Sequence, residues 1–267
     1  MTHTPRKRFG QHFLHDQNII QRIIHTIISA DSAPIVEIGP GMGALTVPLL
    51  QAVGTLDVIE IDRDLAKILA DKCRAAGTLH IHVMDVLKFD FCDLGADKIT
   101  IVGNLPFNIS TPLLFHLQAN IHCIKRMVFM MQKEVVDRLC AQPNNRNYGR
   151  LTVMVQSECE VQRLFNIAPG AFTPPPKVAA SMVCLQPKAD GQRLIHDRSV
   201  LSQVVKQAFN QRRKTLRNAL QGLIDETTMI EVGIEPSLRA ENLAVEDYIR
   251  LANFLHDTHS PRLKSCG

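Results

Sequence analysis

The chain has 267 residues, 45% hydrophobic and 21% charged, the balance of a globular protein with a substantial core rather than of a disordered or fibrous one. A net charge of +4 is too mild to mark a nucleic-acid partner unless its distribution does so. No uninterrupted run of about 18 apolar residues offers a membrane span, and residues 1–9 are basic and polar where a secretory signal would be apolar, so a cytoplasmic protein is expected.

Arg6, Lys7 and Arg8 open the chain as a basic cluster. Asp16 is placed to cap a helix in which Ile19, Ile20, Ile23, Ile24, Ile27 and Ile28 recur at helical spacing. An alternation follows, with strands predicted over 35–38, 56–61, 80–84 and 99–102 and helices over 45–50 and 65–73. Thr111 and Pro112 read as the N-cap and first-turn proline of a helix through 117. Strands over 127–131, 151–156 and 181–185, with a helix near 134–140, extend the pattern. Strand and helix alternating in this way imply βαβ units and a mostly parallel sheet with helices on both faces. Ligands of such sheets sit outside the carboxyl ends of the strands. The stretch 186–192 carries Pro, Lys, Asp and Gly and reads as a linker. Beyond it the chain reads as helical over 199–223, near 228 and over 245–256. The expected division is therefore an α/β domain over 1–188 and a small all-helical domain over 189–267.

Seven cysteines are scattered without a C-x-x-C pair, and eleven histidines occur without an H-E-x-x-H spacing. Reduced, mostly structural thiols and no metal site are the expectation.

Glu37-Ile38-Gly39-Pro40-Gly41-Met42-Gly43 lies between the first strand of the alternation and the next helix. Glycines at alternate positions let backbone approach a ligand that a Cβ would block. Ala44 also completes a loose G-x-G-x-x-A pattern, so the loop alone fits a dinucleotide site, an S-adenosylmethionine site or a plain tight turn. Glu60 and Asp85 at the next strand ends narrow the choice. A carboxylate after the second strand can accept from both ribose hydroxyls, a grip common to NAD and S-adenosylmethionine. Asp85 is less expected for NAD and is placed to accept from an adenine amino group.

Asn104-Leu105-Pro106-Phe107 follows the fourth strand of the alternation. The amino nitrogen of adenine is a poor nucleophile, its lone pair being delocalised into the ring. Two acceptors, the Asn104 side-chain oxygen and the Pro106 carbonyl, suit its two N–H groups, and Phe107 offers a ring face to the base. Positioning would then supply most of the catalysis. Near the C-terminus no acid occurs between Asp197 and Asp225. On one continuous helix Lys206, Asn210, Arg213 and Arg217 would share a face, flanked by Arg212 and Lys214, with Val205, Phe209, Leu216 and Leu220 turned to a core. A solvated helix face is the plain alternative to phosphate contact there.

The glycine loop, Glu60, Asp85 and 104–107 together resemble the ribosomal RNA adenine dimethyltransferase family. The resemblance extends over nearly the whole chain. Residues 8–14 (Arg-Phe-Gly-Gln-His-Phe-Leu) are similar to the family's cofactor-contacting N-terminal segment. Residues 172–178 (Phe-Thr-Pro-Pro-Pro-Lys-Val) are similar to its loop after the core, and 210–218 to its C-terminal RNA-contacting helix. It implies a Rossmann-like class I S-adenosylmethionine methyltransferase domain, with Gln11, His12, Leu14, Glu37, Gly39, Gly41, Glu60, Ile61, Asp85, Val86 and Asn104 around the cofactor. Catalysis would rest on Asn104, Pro106, Phe107 and Phe172, the last over the far face of the target base. By itself Phe172 reads as a core anchor beside a rigid proline loop. RNA contact would rest on Arg6, Lys7, Arg8, Lys206, Arg212, Arg213, Lys214 and Arg217. The resemblance implies dimethylation of two adjacent adenosines near the 3′ end of small-subunit ribosomal RNA, within an assembling small subunit and by a monomer. The large-subunit, antibiotic-resistance branch of the family and a non-catalytic assembly factor are the competing readings. His12 stands where the family generally has Asn, and Phe107 where Tyr is more frequent.

Overall fold

The computed structural model describes residues 13–28, 33–105 and 109–259. In chain order the elements are β1 (Phe13–Leu14), α1 (Gln17–Ile28), β2 (Ile35–Ile38), α2 (Thr46–Val53), β3 (Thr55–Ile59), α3 (Arg63–Cys73), β4 (Thr78–His82), β5 (Ile99–Asn104), α4 (Ser110–Ala119), β6 (Ile124–Gln132), α5 (Lys133–Leu139), α6 (Arg150–Gln156), β7 (Cys159–Ile167), β8 (Phe172–Thr173), β9 (Ala180–Pro187), α7 (Arg198–Asn210), α8 (Leu216–Ala219), α9 (Glu226–Glu231) and α10 (Val245–His259).

Two compact units divide the chain. The first takes Met1–Val136 and Val161–Pro187, the second Asp137–Glu160 and Lys188–Gly267. The second unit is thus built from two stretches of chain, where the sequence suggested one contiguous C-terminal piece.

The first unit carries a seven-stranded sheet of order β4-β3-β2-β5-β6-β9-β7. β2 pairs in parallel with β3 and β5, β3 with β4, and β5 with β6, whereas β9 runs antiparallel to β6. From β2 the chain winds outward through β3 and β4, then returns to β5 on the other side. The carboxyl ends of β2 and β5 therefore flank the switch point, where an open α/β sheet leaves a crevice. β2 is buried throughout and β5 throughout but for Asn104, the pattern of strands covered on both faces. The Asp16 carboxylate accepts from the Asn18 and Ile19 N–H groups at 2.9 and 3.2 Å and caps α1, which buries Ile20, Ile23, Ile24 and Ile27. β1 and β8 form a separate antiparallel pair, Phe13 opposite Thr173 and Leu14 opposite Phe172.

In the second unit α7 packs on α10 and α6. Phe209 stacks on Tyr248 at 5.8 Å between ring centroids and lies 6.1 Å from Tyr148. Arg198 grips Glu158 with both Nε and Nη2, at 2.8 and 2.5 Å, and so joins the two stretches of this unit.

Four expectations are corrected. Residues 151–156 are helix α6, not strand. Leu151, Thr152, Val153, Met154 and Val155 are all buried, so no polar face reveals the period, and the β-branched residues mislead. The helix expected over 199–223 stops at Asn210, and 211–214 form a turn. Thr215 is extended and bridges Arg239, while the Leu216 N–H donates to the Leu238 carbonyl; a tertiary pairing overrides the local propensity. α4 begins at Ser110, so Thr111 lies inside it. Finally, Cys92 and Cys123 are joined as a disulfide where reduced thiols were expected. Their turns, 91–94 and 121–123, precede the neighbouring parallel strands β5 and β6, so pairing of the strands brings distant cysteines together.

Candidate active site

Glu37 lies on β2, and its chain end runs straight into Gly39 and Gly41, whose φ angles of 65° and 56° are natural to glycine and strained for other residues. The Gly39 N–H donates to the Ile59 carbonyl, and the Lys72 ammonium donates to the Met42 carbonyl at 2.9 Å, so the loop is held from two sides. Glu60 directly follows β3. One of its carboxylate oxygens accepts from the Asp62 N–H at 2.9 Å and the other from the Gly41 N–H at 3.2 Å. The acid thereby fixes the glycine loop, and each oxygen retains a lone pair for another donor. Asp85 stands three residues beyond the end of β4, not at it, and caps the turn 86–88 by accepting from the Leu87 N–H at 3.0 Å.

These residues enclose a cavity of about 320 Å³ at the switch point. Of the residues expected around a cofactor, Leu14, Glu37, Gly39, Gly41, Glu60, Ile61, Asp85, Val86 and Asn104 line it. Asn104, the last residue of β5, and Phe172 of β8 both line it, and the β1–β8 pair sets Phe13 and Leu14 against Thr173 and Phe172. Phe172 is buried and belongs to the hydrophobic cluster, so it is both core anchor and cavity wall. Gln11, His12, Pro106 and Phe107 lie outside the described residues, as do Arg6, Lys7 and Arg8.

Burial raises the Glu37 carboxyl to a pKa of about 7; the Thr46 hydroxyl beside it pulls the other way, and the nearby charge of Glu60 adds to the rise. Glu60 is also raised by burial, with the Asp62 and Gly41 N–H groups pulling the other way. Glu37 Oε2 is buried with no hydrogen-bond partner among the described residues, which calls for a donor from a ligand. At the mouth Ile61 is 54% and Met84 37% exposed, apolar surface suited to the face of a purine. An orphaned acceptor, a glycine cradle, an acid for hydroxyls and an apolar slot together fit an adenosine carrying a cationic amino-acid tail. The sequence did not single out Met84, Ile109 or Met130, which also line the cavity, as does Pro176 of the 172–178 loop. Only Met84 carried a signal, as the apolar last residue of the strand expected over 80–84, which in the structure ends at His82.

In the second unit Lys206, Arg212, Arg213, Lys214 and Arg217 are all exposed, but on α7, a turn and α8 rather than on one helix face. Arg212 is tied to Glu241 through Nε and Nη2 at 2.7 and 2.6 Å. The absence of acids along the segment does not hold in space.

A doubly wound sheet with this cavity at its switch point defines a class I S-adenosylmethionine-dependent methyltransferase. A solved dimethyladenosine transferase from Plasmodium falciparum has the same fold at a TM-score of 0.77 and 25% identity, over 92% of this chain and 98% of that one. The family model for ribosomal RNA adenine dimethylase matches residues 2–257. A protein of Nitrosococcus oceani named ribosomal RNA small subunit methyltransferase A is 50% identical over 254 residues, 94% of this chain and 96% of its own. One of the same name from Pseudomonas fluorescens is 48% identical over 261 residues, 97% of each chain. The chain belongs to the ribosomal RNA adenine dimethylase family. Among the described residues no helix is long and apolar enough to cross a membrane.

Proposed function

We propose that this enzyme methylates N6 of two adjacent adenosines near the 3′ end of small-subunit ribosomal RNA, giving N6,N6-dimethyladenosine. It acts as a cytoplasmic monomer on an assembling small subunit. The observation that carries the reading is the position of Asn104 at the carboxyl end of β5, lining one cavity with Gly39, Glu60 and Phe172. Small-subunit action is favoured over the large-subunit branch by the names of the relatives at 50% and 48% identity.

S-adenosylmethionine, when bound, supplies a methyl group already activated by its sulfonium. Glu60 would hold the ribose hydroxyls, Glu37 would accept from the amino-acid end and Asp85 from the adenine, while Ile61, Met84 and Val86 would cover the ring. Leu14 lines the site, and the family resemblance assigns cofactor contact to Gln11 and His12 as well. Asn104 would accept one N–H of the target amino group and the Pro106 carbonyl the other, orienting the nitrogen lone pair for attack. Phe107 and Phe172 sandwich the extruded base, each stacking contact worth about 1–3 kcal/mol. No general base would be needed: as the N–C bond formed and the methyl–sulfur bond of the sulfonium broke, the nitrogen would become cationic and its proton acidic enough to pass to solvent. Lys206, Arg213, Lys214 and Arg217, with Arg6, Lys7 and Arg8, hold phosphates, and Arg212, clamped to Glu241, braces the turn that presents them.

Asn104→Ala removes a preorganised acceptor at the reacting nitrogen. The expected loss is about 10²–10³ in single-turnover rate on undermethylated small subunits, with cofactor affinity measured separately by calorimetry and changed less than the rate. A wild-type single-turnover rate in that variant would overturn the mechanism.

A further inference from the structure

Cys92, His122 and Cys123 bring two sulfurs and an imidazole nitrogen within 4.8 Å of one another. None of the three lines the cofactor cavity. Their turns precede β5 and β6, at the edge of the sheet opposite the carboxyl ends that hold the methyltransfer residues. Among the described residues this is the one group of three such donors. His122 Nε2 lies 3.3 Å from Cys92 Sγ. The Asn120 carbonyl lies 3.2 Å from Cys123 Sγ, and Asn120 Oδ1 lies 3.7 Å from Cys92 Sγ. The Lys98 ammonium donates to the His122 carbonyl at 2.6 Å and fixes the second turn. A disulfide has no need of an imidazole aimed at one of its sulfurs; a cation held by two thiolates does.

We propose that the reduced protein binds a soft divalent cation, Zn²⁺, through Cys92 Sγ, Cys123 Sγ and His122 Nε2, and that the disulfide is the metal-free form of this site. Bond lengths of about 2.3 Å to sulfur and about 2.0–2.1 Å to nitrogen, at a tetrahedral angle, place sulfur and nitrogen ~3.6 Å apart and the two sulfurs ~3.8 Å apart. The Cys92–His122 spacing is already close to the first. With the Cα atoms 5.5 Å apart, side-chain rotation reaches the second once the disulfide is opened. Cys123 is buried and His122 exposed, so the fourth position faces solvent and takes water. The expectation of no metal rested on the missing C-x-x-C spacing. Here the donors come from two turns brought together by parallel strands, and no local spacing announces them. Wherever thiol buffers keep cysteines reduced, the dithiol is the form present.

The test uses the full-length protein reduced with a phosphine, which leaves as its oxide after taking oxygen from water while the two thiols form. Titration with Co²⁺ is expected to give thiolate-to-metal charge-transfer bands saturating at one equivalent, and Zn²⁺ is expected to abolish them. Cys92→Ser should weaken binding more than about 100-fold, since loss of even an outer partner of a ligand costs about 10–100-fold. Its melting temperature and methylation rate serve as checks on folding. The exposed His122→Ala should keep thiolate bands but lose at least tenfold in affinity, and it tests the site even if Cys92→Ser fails to fold. Absence of charge-transfer bands in the reduced wild type would overturn the site. So would bands that survive Cys92→Ser unchanged, which would belong to other cysteines, or a Co²⁺ affinity untouched by His122→Ala.

Discussion

Burial sets the proton affinity of Glu37 and leaves its Oε2 without a partner, so one residue carries both a stability signature and a binding one. Between its ordinary 4.5 and about 7 the unfolded chain has released this proton while the folded protein still holds it. The stability linked to the group is therefore full below pH 4.5 and is lost as pH rises through 7. At about 1.4 kcal/mol per tenfold change in proton affinity, the effect is on the order of 3 kcal/mol at most. Glu37→Gln mimics the protonated form and cannot titrate. In thermal melts without cofactor, its advantage over wild type is expected to grow from pH 4.5 to pH 8 by several degrees; a constant difference would mean that Glu37 ionises normally. Glu60 answers to its partners instead. Glu60→Ala is expected to weaken S-adenosylmethionine binding by about 1.5–3 kcal/mol for each charged hydrogen bond to a ribose hydroxyl. It also releases the glycine loop that the carboxylate holds through Gly41. Calorimetry returning wild-type affinity would take Glu60 out of the site.

Between α7 and α8 the turn 211–214 projects Arg213 and Lys214 away from any shared helix face, and its backbone is anchored by the Thr215–Arg239 bridge. If these side chains hold phosphates, Arg213→Ala with Arg217→Ala lowers RNA affinity and flattens the dependence of log K on log salt by about 1.4–1.8, leaving cofactor affinity unchanged. An unaltered slope would make the cluster a solvated surface. The element scale also shows what the sequence carries and what it hides. The strands and helices of the first half were legible because apolar runs alternate with helical spacing and with caps such as Asp16. The cofactor acids were legible because strand ends in a parallel sheet converge on one edge. α6 was hidden by being buried all round. β7 was missed because in Cys-Glu-Val-Gln-Arg-Leu-Phe-Asn-Ile the apolar residues change phase at Arg163 and Leu164, so neither a continuous apolar run nor a strict alternation marks a strand. The Arg212–Glu241 pair and the Cys92–Cys123 pair join residues far apart in sequence, which periodicity cannot register.

At the scale of the whole molecule the chain leaves its first unit at 137, returns at 161 and leaves again after Pro187. A cut at the linker is consequently not a cut between domains. Removing residues 188–267 takes away α7 and α10, against which α6 packs within the second unit, and uncovers the face of α6 that meets them, on a helix that buries Leu151, Val153, Met154 and Val155. Burying a side chain of that size contributes about 1.5–3 kcal/mol, so their combined loss is comparable with the whole stability of a typical domain, about 5–15 kcal/mol. The cut also strips Arg198 from Glu158, whose side chain is 4% exposed, and breaking a buried ion pair by removing one partner is destabilising. The truncated chain is expected to aggregate or to melt well below the full-length protein, although every cofactor residue named above is retained. Arg198→Ala in the full chain isolates the ion-pair contribution and should lower the melting temperature by a smaller amount, because α6 stays covered. A truncated protein that is monodisperse and melts at the full-length temperature would show that residues 137–160 fold independently of the C-terminal stretch, and the two-stretch construction of the second unit would have to be given up.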